Sequence, residues 1–445
     1  TLFSYLCKRN HLINLSLRKS NFLKKTLKEW LKWQESISSK EISLGLDRVS
    51  RVFEKLDFRR PSHVISVAGT NGKGSSVAIL ESLFMNQAIS VGSYTSPHLH
   101  KYNERIKINS KPVSDGKIVR AFEKIESIRS EELLTYFEFG TLAAFEIFSN
   151  ADIEVLILEV GLGGRLDAVN IIDPDGSIIT NIGLDHTDWL GGSKEKIGRE
   201  KAGVMRENIP TVFGDTDIPE SVIQVAKERH AKLIRLNKDY TYREISDESW
   251  VWSESGKKEI EIESPNINGS HQIKNAAAIL ALLSKLDGTD FPTAKSINKS
   301  LRSININGRL DFRHHEERNW LFDVSHNTES ISELVRFITK LQYKKCIVVL
   351  GIMSDKNALS MISLLADITD QWFIPKLEIK RSIQAGEIKL LINQKSDKLC
   401  QVSNSVDLSL RNAKSISKPD DLIVVAGSFY LVSPALDWFN RKFKK

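Results

Sequence analysis

A chain of 445 residues, 41% hydrophobic and 27% charged, has room for two or three domains with large cores and the balance of a globular protein. No apolar run approaches the ~20 residues that span a bilayer, so no membrane partner is expected. The net charge of +7 argues against a nucleic-acid partner: residues 1–25 hold six basic residues and no acid, leaving roughly +1 for the other 420.

The acid-poor, amphipathic stretch 1–25 is compatible with an organellar transit peptide or with a basic, poorly ordered extension, and we take the second. Cys7, Cys346 and Cys400 are scattered and fit neither a disulfide framework nor a zinc site, which suits a reducing cytosol and a cytoplasmic protein. From Leu27 to Leu56 the pattern is helical, with a break near Ser36–Ser39. Strands are predicted at His63–Ala68 and Ile89–Tyr94, with a helix over Ser75–Asn86 between them. Helices follow over Asp115–Ser127 and Phe137–Ser149. Ile153–Val160 is apolar apart from two glutamates, as a strand buried on both faces requires. Further strands are expected at Ser177–Ile182 and Pro210–Phe213. Residues 238–264 alternate Thr, Tyr, Trp and charges, which predicts short antiparallel strands, and helical periodicity returns at His271–Leu286. A polar, Gly-ended linker spans Ser303–Gly308. Beyond it strands are predicted at Trp320–Val324, Cys346–Leu350, Gln371–Ile374 and Leu422–Ala426. The fold class is therefore α/β: an N-terminal P-loop domain with a mostly parallel sheet, residues 26–304, and a smaller Rossmann-like α/β domain, residues 310–445.

The most informative segment is Gly69-Thr70-Asn71-Gly72-Lys73-Gly74-Ser75-Ser76, which joins a β-branched strand to a helix. Glycines let backbone N–H groups close around a phosphate, the helix N-terminus adds positive potential, and Lys73 reaches the outer phosphates. An extra glycine separates Lys73 from Ser75, so the spacing departs from GxxxxGK[ST]. In open α/β sheets ligands lie beyond the carboxyl ends of strands. Ser96 and the run Leu184-Asp185-His186-Thr187-Asp188 follow predicted strands, and Glu159 lies at the end of one. A hydroxyl, a carboxylate and an imidazole beside phosphates suit Mg²⁺, which takes few protein ligands plus substrate oxygens. Spacing leaves open whether His186, Asp185 or Asp188 fills the third role.

These motifs, with Thr95-Ser96-Pro97-His98-Leu99, Leu158-Glu159-Val160-Gly161-Leu162-Gly163-Gly164-Arg165, Gly198-Arg199-Glu200-Lys201-Ala202-Gly203 and Asp323-Val324-Ser325-His326-Asn327, occur in an order that resembles the dihydrofolate synthase/folylpolyglutamate synthase family. This is the folate branch of the Mur ligase superfamily. The resemblance runs from about Leu27 to the C-terminus. It implies an ATP-dependent ligase that forms an acyl phosphate and couples it to the amine of L-glutamate. The absence of a recognisable Ser–His–Asp or Cys–His set agrees, because phosphoryl transfer needs positioning and charge neutralisation more than a protein nucleophile.

The resemblance further implies that Lys73 and the loop amides of Gly69–Ser76 hold ATP, with Asn275, Arg309, Asp323 and His326 on its adenine and ribose side. Ser96 and Glu159 would ligate one Mg²⁺, His186 would help hold a second, and Lys201 would be carbamylated by CO₂. Leu44, Gly45, Thr135, Phe137, Asp167 and Ala168 match a dihydropteroate pocket, and Ser428 and Tyr430 are weaker matches for a glutamate pocket. A bifunctional, monomeric enzyme is expected. The alternatives are a chain-extending synthase alone, a Mur-type ligase for a cell-wall precursor, and a nucleotide-driven switch.

Overall fold

The computed structural model describes residues 25–37 and 43–443. Residues 1–24 of the expected basic extension lie outside them. The first sheet has eight strands: β1 (His63–Ala68), β2 (Val91–Tyr94), β3 (Ile106–Ile108), β4 (Lys111–Pro112), β5 (Val155–Glu159), β6 (Gly176–Ile179), β7 (Pro210–Phe213) and β8 (Lys232–Arg235). Their order is β4-β3-β2-β5-β1-β6-β7-β8. From β2 to β8 neighbours run parallel, and β3 and β4 add an antiparallel edge. The central strands β1 and β5 are β-branched or leucine-rich and almost wholly buried, since helices cover both faces of a parallel sheet.

One face packs against the helices Leu27–Ile37, Asp115–Ile128 and Tyr136–Ser149, where Trp30, Phe122 and Phe139 form an aromatic cluster, Phe122 edge-on to Phe139. The other packs against Lys73–Asn86 and His271–Leu283. A three-stranded antiparallel sheet, β9 (Tyr240–Glu244), β10 (Ser249–Glu254) and β11 (Ile260–Glu263), closes this second core. Its alternation turns Trp250 and Trp252 inward, and Trp252 Nε1 donates to the Ala277 carbonyl at 3.1 Å. Burying each such aromatic contributes roughly 2–3 kcal/mol.

The second sheet comprises β12 (Asp311–His315), β13 (Arg318–Asp323), β14 (Cys346–Leu350), β15 (Gln371–Pro375), β16 (Cys400–Ser403) and β17 (Leu422–Ala426), in the order β12-β13-β17-β14-β15-β16. Only β12 is antiparallel to its neighbour. The linker is strapped to this sheet: Leu310 N donates to Asp323 Oδ2 at 2.6 Å and Val324 N to the Gly308 carbonyl at 2.9 Å.

Most predicted elements lie where expected. The segment Ser303–Gly308 is shorter as a linker than expected, because a helix over Ala294–Ser303 runs into it. Sequence periodicity misses β8, β12 and β16, which are edge strands of mixed polarity. In β8 only Ile234 is buried.

Candidate active site

The phosphate turn is locked by its glycines. Gly69 sits at φ +143°, and a Cβ there would lie 1.8 Å from Thr180 Oγ1. Gly72, at φ +85°, sets the left-handed entry to the helix Lys73–Asn86. The end of β6 braces the turn, since Asn71 N donates to Asn181 Oδ1 at 2.9 Å and Thr180 Oγ1 donates to the Asn71 carbonyl at 2.6 Å. Lys73 Nζ folds back onto the carbonyls of Gly69 and Thr70, at 3.0 and 3.1 Å.

Lys201, at the end of the helix Lys194–Lys201, is 5% exposed and places its Nζ 2.8 Å from the same Gly69 carbonyl. Two amines thus converge on one oxygen. Desolvation first, and the Lys73 charge second, pull the Lys201 amine down to about 7. Desolvation also lowers Lys73, opposed by Glu159 and Asp185.

Register explains Glu159. It pairs with Val67 at the carboxyl end of β1, so its carboxylate faces the turn. It is buried, accepts from Ser96 N at 3.1 Å, and would sit 3.8 Å from a Cβ on Gly74. Burial raises its pKa, and Lys73 opposes the rise. A buried carboxylate with one backbone donor, a serine beside it and open glycine backbone opposite fits a hard cation completed by substrate oxygens. Among the described residues no three His, Cys, Asp or Glu groups cluster as a self-contained metal cage.

Asp185 settles next to His186 but does different work. Its carboxylate receives Lys356 Nζ at 2.5 Å and Asn327 Nδ2 at 3.0 Å, with His326 Nε2 at 3.5 Å. All three partners belong to the second sheet's loops. These contacts and the His186 charge hold the Asp185 carboxyl far below its ordinary value despite its burial. His186 adopts φ +51° and is pushed down to about 4, mainly by burial. Asp188 is exposed and does not line the cavity described below.

A single cavity of about 1260 Å³ joins these groups. Leu44, Thr135, Phe137, Asp167, Ala168, Ser96, Arg309, His326, Ser428 and Tyr430 also line it. The Phe137 ring lies over Gly161, where a Cβ would meet it at 2.7 Å. Asp167 accepts from Leu162 N at 2.7 Å and Val169 N at 3.1 Å, yet burial lifts its carboxyl to about 6. Thr135 serves also as a helix cap, accepting from Glu138 N at 3.2 Å. Arg309 lies over the Phe429 ring at 5.3 Å.

Gly45, Ser75, Ser76, Asn275 and Asp323 do not line this cavity. Asn275 sits against the phosphate turn, its Oδ1 3.0 Å from a Cβ on Gly72, and the Asp323 carboxylate is taken up by Leu310 N and Ser325 N. Sequence reading gave no role to Lys356 or Arg105. Lys356 lies in the loop after β14, and Arg105 stacks between Tyr102 and Tyr136 while donating Nε to His98 Nδ1 at 2.9 Å.

Two α/β sheets facing across a glycine–lysine phosphate turn define a Mur-type ligase, and residues 67–283 match the Mur ligase middle domain while 308–429 match the Mur ligase, glutamate ligase domain. The chain is 36% identical to the dihydrofolate synthase/folylpolyglutamate synthase of Escherichia coli strain K12, over 94% of its length and 96% of that protein. It belongs to the dihydrofolate synthase/folylpolyglutamate synthase family. The structure of E. coli FolC in complex with DHPP and ADP superposes with a TM-score of 0.88 at 34% identity, covering 94% of this chain and 98% of that one. A bifunctional folylpolyglutamate synthase/dihydrofolate synthase with Mn, AMPPNP and L-glutamate bound gives 0.86 at 35% identity, covering 94% and 98%.

Proposed function

We propose that this chain joins L-glutamate to dihydropteroate, making dihydrofolate, and extends the glutamate tail of folates, using ATP. The observation that carries the reading is the convergence of Lys73, Glu159, Lys201 and His186 on one cavity that also reaches Phe137 and Asp167. ATP would transfer its outer phosphoryl group to the substrate carboxylate. The glutamate amine would then attack the acyl phosphate, releasing phosphate and leaving an amide.

Lys73 and the amides of Gly69–Ser76 hold the phosphates, and the position of Lys73 on the loop carbonyls is one that incoming phosphate oxygens would compete for. Two Mg²⁺ sites are expected, one at Ser96 and Glu159 and one involving His186, and Mg²⁺ when bound neutralises phosphate charge. Lys201, with a pKa of about 7, is substantially neutral near neutral pH, the form in which an amine adds to CO₂ and loses a proton to become a carbamate. Asn275, Arg309, Asp323 and His326 are assigned to the nucleotide. Leu44, Gly45, Thr135, Phe137, Asp167 and Ala168 are assigned to the pterin, and Ser428 and Tyr430 to glutamate. Closure of 26–304 on 310–445 would exclude water from the acyl phosphate. A monomer in the cytosol fits this reading, and the free, buried thiols of Cys346 and Cys400 suit a reducing compartment.

The test is ADP release with Mg-ATP and L-glutamate, adding dihydropteroate or tetrahydrofolate separately. Turnover with both supports the bifunctional reading, and turnover with tetrahydrofolate alone reduces it to tail extension. Release needing neither acceptor overturns it.

A further inference from the structure

Helix Leu27–Ile37 buries Leu27, Trp30 and Gln34 along one face. Gln34 is a primary amide at a position where the packing calls for an apolar side chain, and it is 0% exposed. Among the described residues neither its Oε1 nor its Nε2 has a hydrogen-bond partner. Buried polar groups are nearly always paired, so two unpaired atoms on one side chain need an explanation. Gln34 also borders the substrate cavity.

The same wall holds a second unpaired group. Tyr102 is 4% exposed, lines the cavity, and buries its Oη without a partner among the described residues. Its ring packs edge-on to Tyr136 at 5.9 Å. Arg105, the cation of this wall, already donates to His98. The wall therefore has aromatic surface, a committed cation, and a donor and acceptors left unused.

We propose that Gln34 is a specificity-determining residue that reads the heteroaromatic ring of the acceptor substrate. A carboxamide pairs two-point with a ring edge carrying an N–H beside a carbonyl: its Oε1 accepts from the ring N–H and its Nε2 donates to the ring carbonyl. Side-chain amides pair with purine edges by the same logic. The inference rests on the folate reading of the site. It makes the free protein less stable than it could be, in exchange for discrimination against rings that cannot complete the pairing.

The test compares wild type with Gln34→Leu and Gln34→Met, either of which fills the volume without polar atoms. KM is measured for dihydropteroate, tetrahydrofolate, ATP and L-glutamate, alongside thermal unfolding of the free protein. The expected result is a rise of about tenfold in KM for both pterin substrates, with KM for ATP and L-glutamate unchanged. Melting temperature should rise by about 2–4 °C in the same variants, because a buried unpaired amide has been removed. A lower melting temperature with unchanged pterin KM would show that the amide is structural and overturn the inference. So would an equal rise in KM for all substrates. Wild type inactive with both pterin acceptors would overturn the folate reading itself, which separates the two failures.

Discussion

Lys356 and Asp185 form a buried ion pair across the two sheets, Nζ to Oδ1 2.5 Å, with their side chains 6% and 7% exposed. Asp185 precedes His186, and Asn327, which also donates to Asp185, exchanges an amide hydrogen bond with Asn71 at the tip of the phosphate turn, 3.0 Å from Nδ2 to Oδ1. The second sheet thus grips the phosphate turn and the His186 loop through one carboxylate.

Removing one partner of such a pair leaves a charge buried and uncompensated. Lys356→Met should therefore lower stability by about 3–5 kcal/mol. Asp185→Asn in the same background should recover part of that loss, since the orphan charge goes with it. The double-mutant cycle, read by chemical denaturation, measures the coupling. Simple additivity would mean that the pair contributes no coupling of its own.

Lys201 carries the second prediction. Its amine, lowered to about 7 by burial and by Lys73, is mostly protonated below that pH and mostly neutral above it. Only the neutral form adds CO₂. Enzyme stripped of CO₂ should lose activity reversibly, and the same concentration of dissolved CO₂ should restore it faster at about pH 8 than at about pH 6. Lys201→Ala should be inactive and unresponsive to CO₂. Full activity in that variant would remove the carbamate from the mechanism.

Legibility in the sequence followed periodicity. Central strands such as β1, β14 and β17 are continuous apolar runs, and their boundaries can be read directly. Gly69–Ser76, Glu159 and His186 stood out because each ends or follows a strand of the phosphate-turn sheet, where topology sends ligands. Lys356 was not legible: in an aperiodic loop an isolated lysine looks like a solvated charge, and only the fold brings it to Asp185. Spacing could not separate Asp185 from Asp188 either, since the difference lies in which one faces the second sheet. That Asn275 lies beside Gly72 was not legible either, because only the fold brings helix His271–Leu283 against the phosphate turn.

Glu159 tests the cation site. Glu159→Gln keeps the shape and can still accept from Ser96 N, but removes the charge. Activity should fall by roughly 10²–10³-fold, the scale of losing a key electrostatic group. Raising Mg²⁺ should recover little of it, while folding stability should hold, because burial already disfavours the charged form. A variant as active as wild type at ordinary Mg²⁺ would place the cation elsewhere.

Two cavity groups give opposite pH dependences of stability. His98 is lowered to about 4, chiefly by burial and then by Arg105, so between its unfolded value near 6.5 and about 4 the unfolded chain binds the extra proton. Its contribution to stability falls as pH drops through that window. Asp167 is raised to about 6 by burial, so between about 6 and its unfolded value near 3.8 the folded chain binds the extra proton. Its contribution rises as pH drops through that window. In wild type the two partly cancel. Relative to wild type, His98→Gln should therefore gain stability as pH is lowered from about 7 to about 4.5, and Asp167→Asn should lose it. Denaturant midpoints across that range give both slopes. A zero slope would mean that the side chain titrates in the folded protein as it does in water, and slopes of the same sign would mean that one of the two shifts runs the other way.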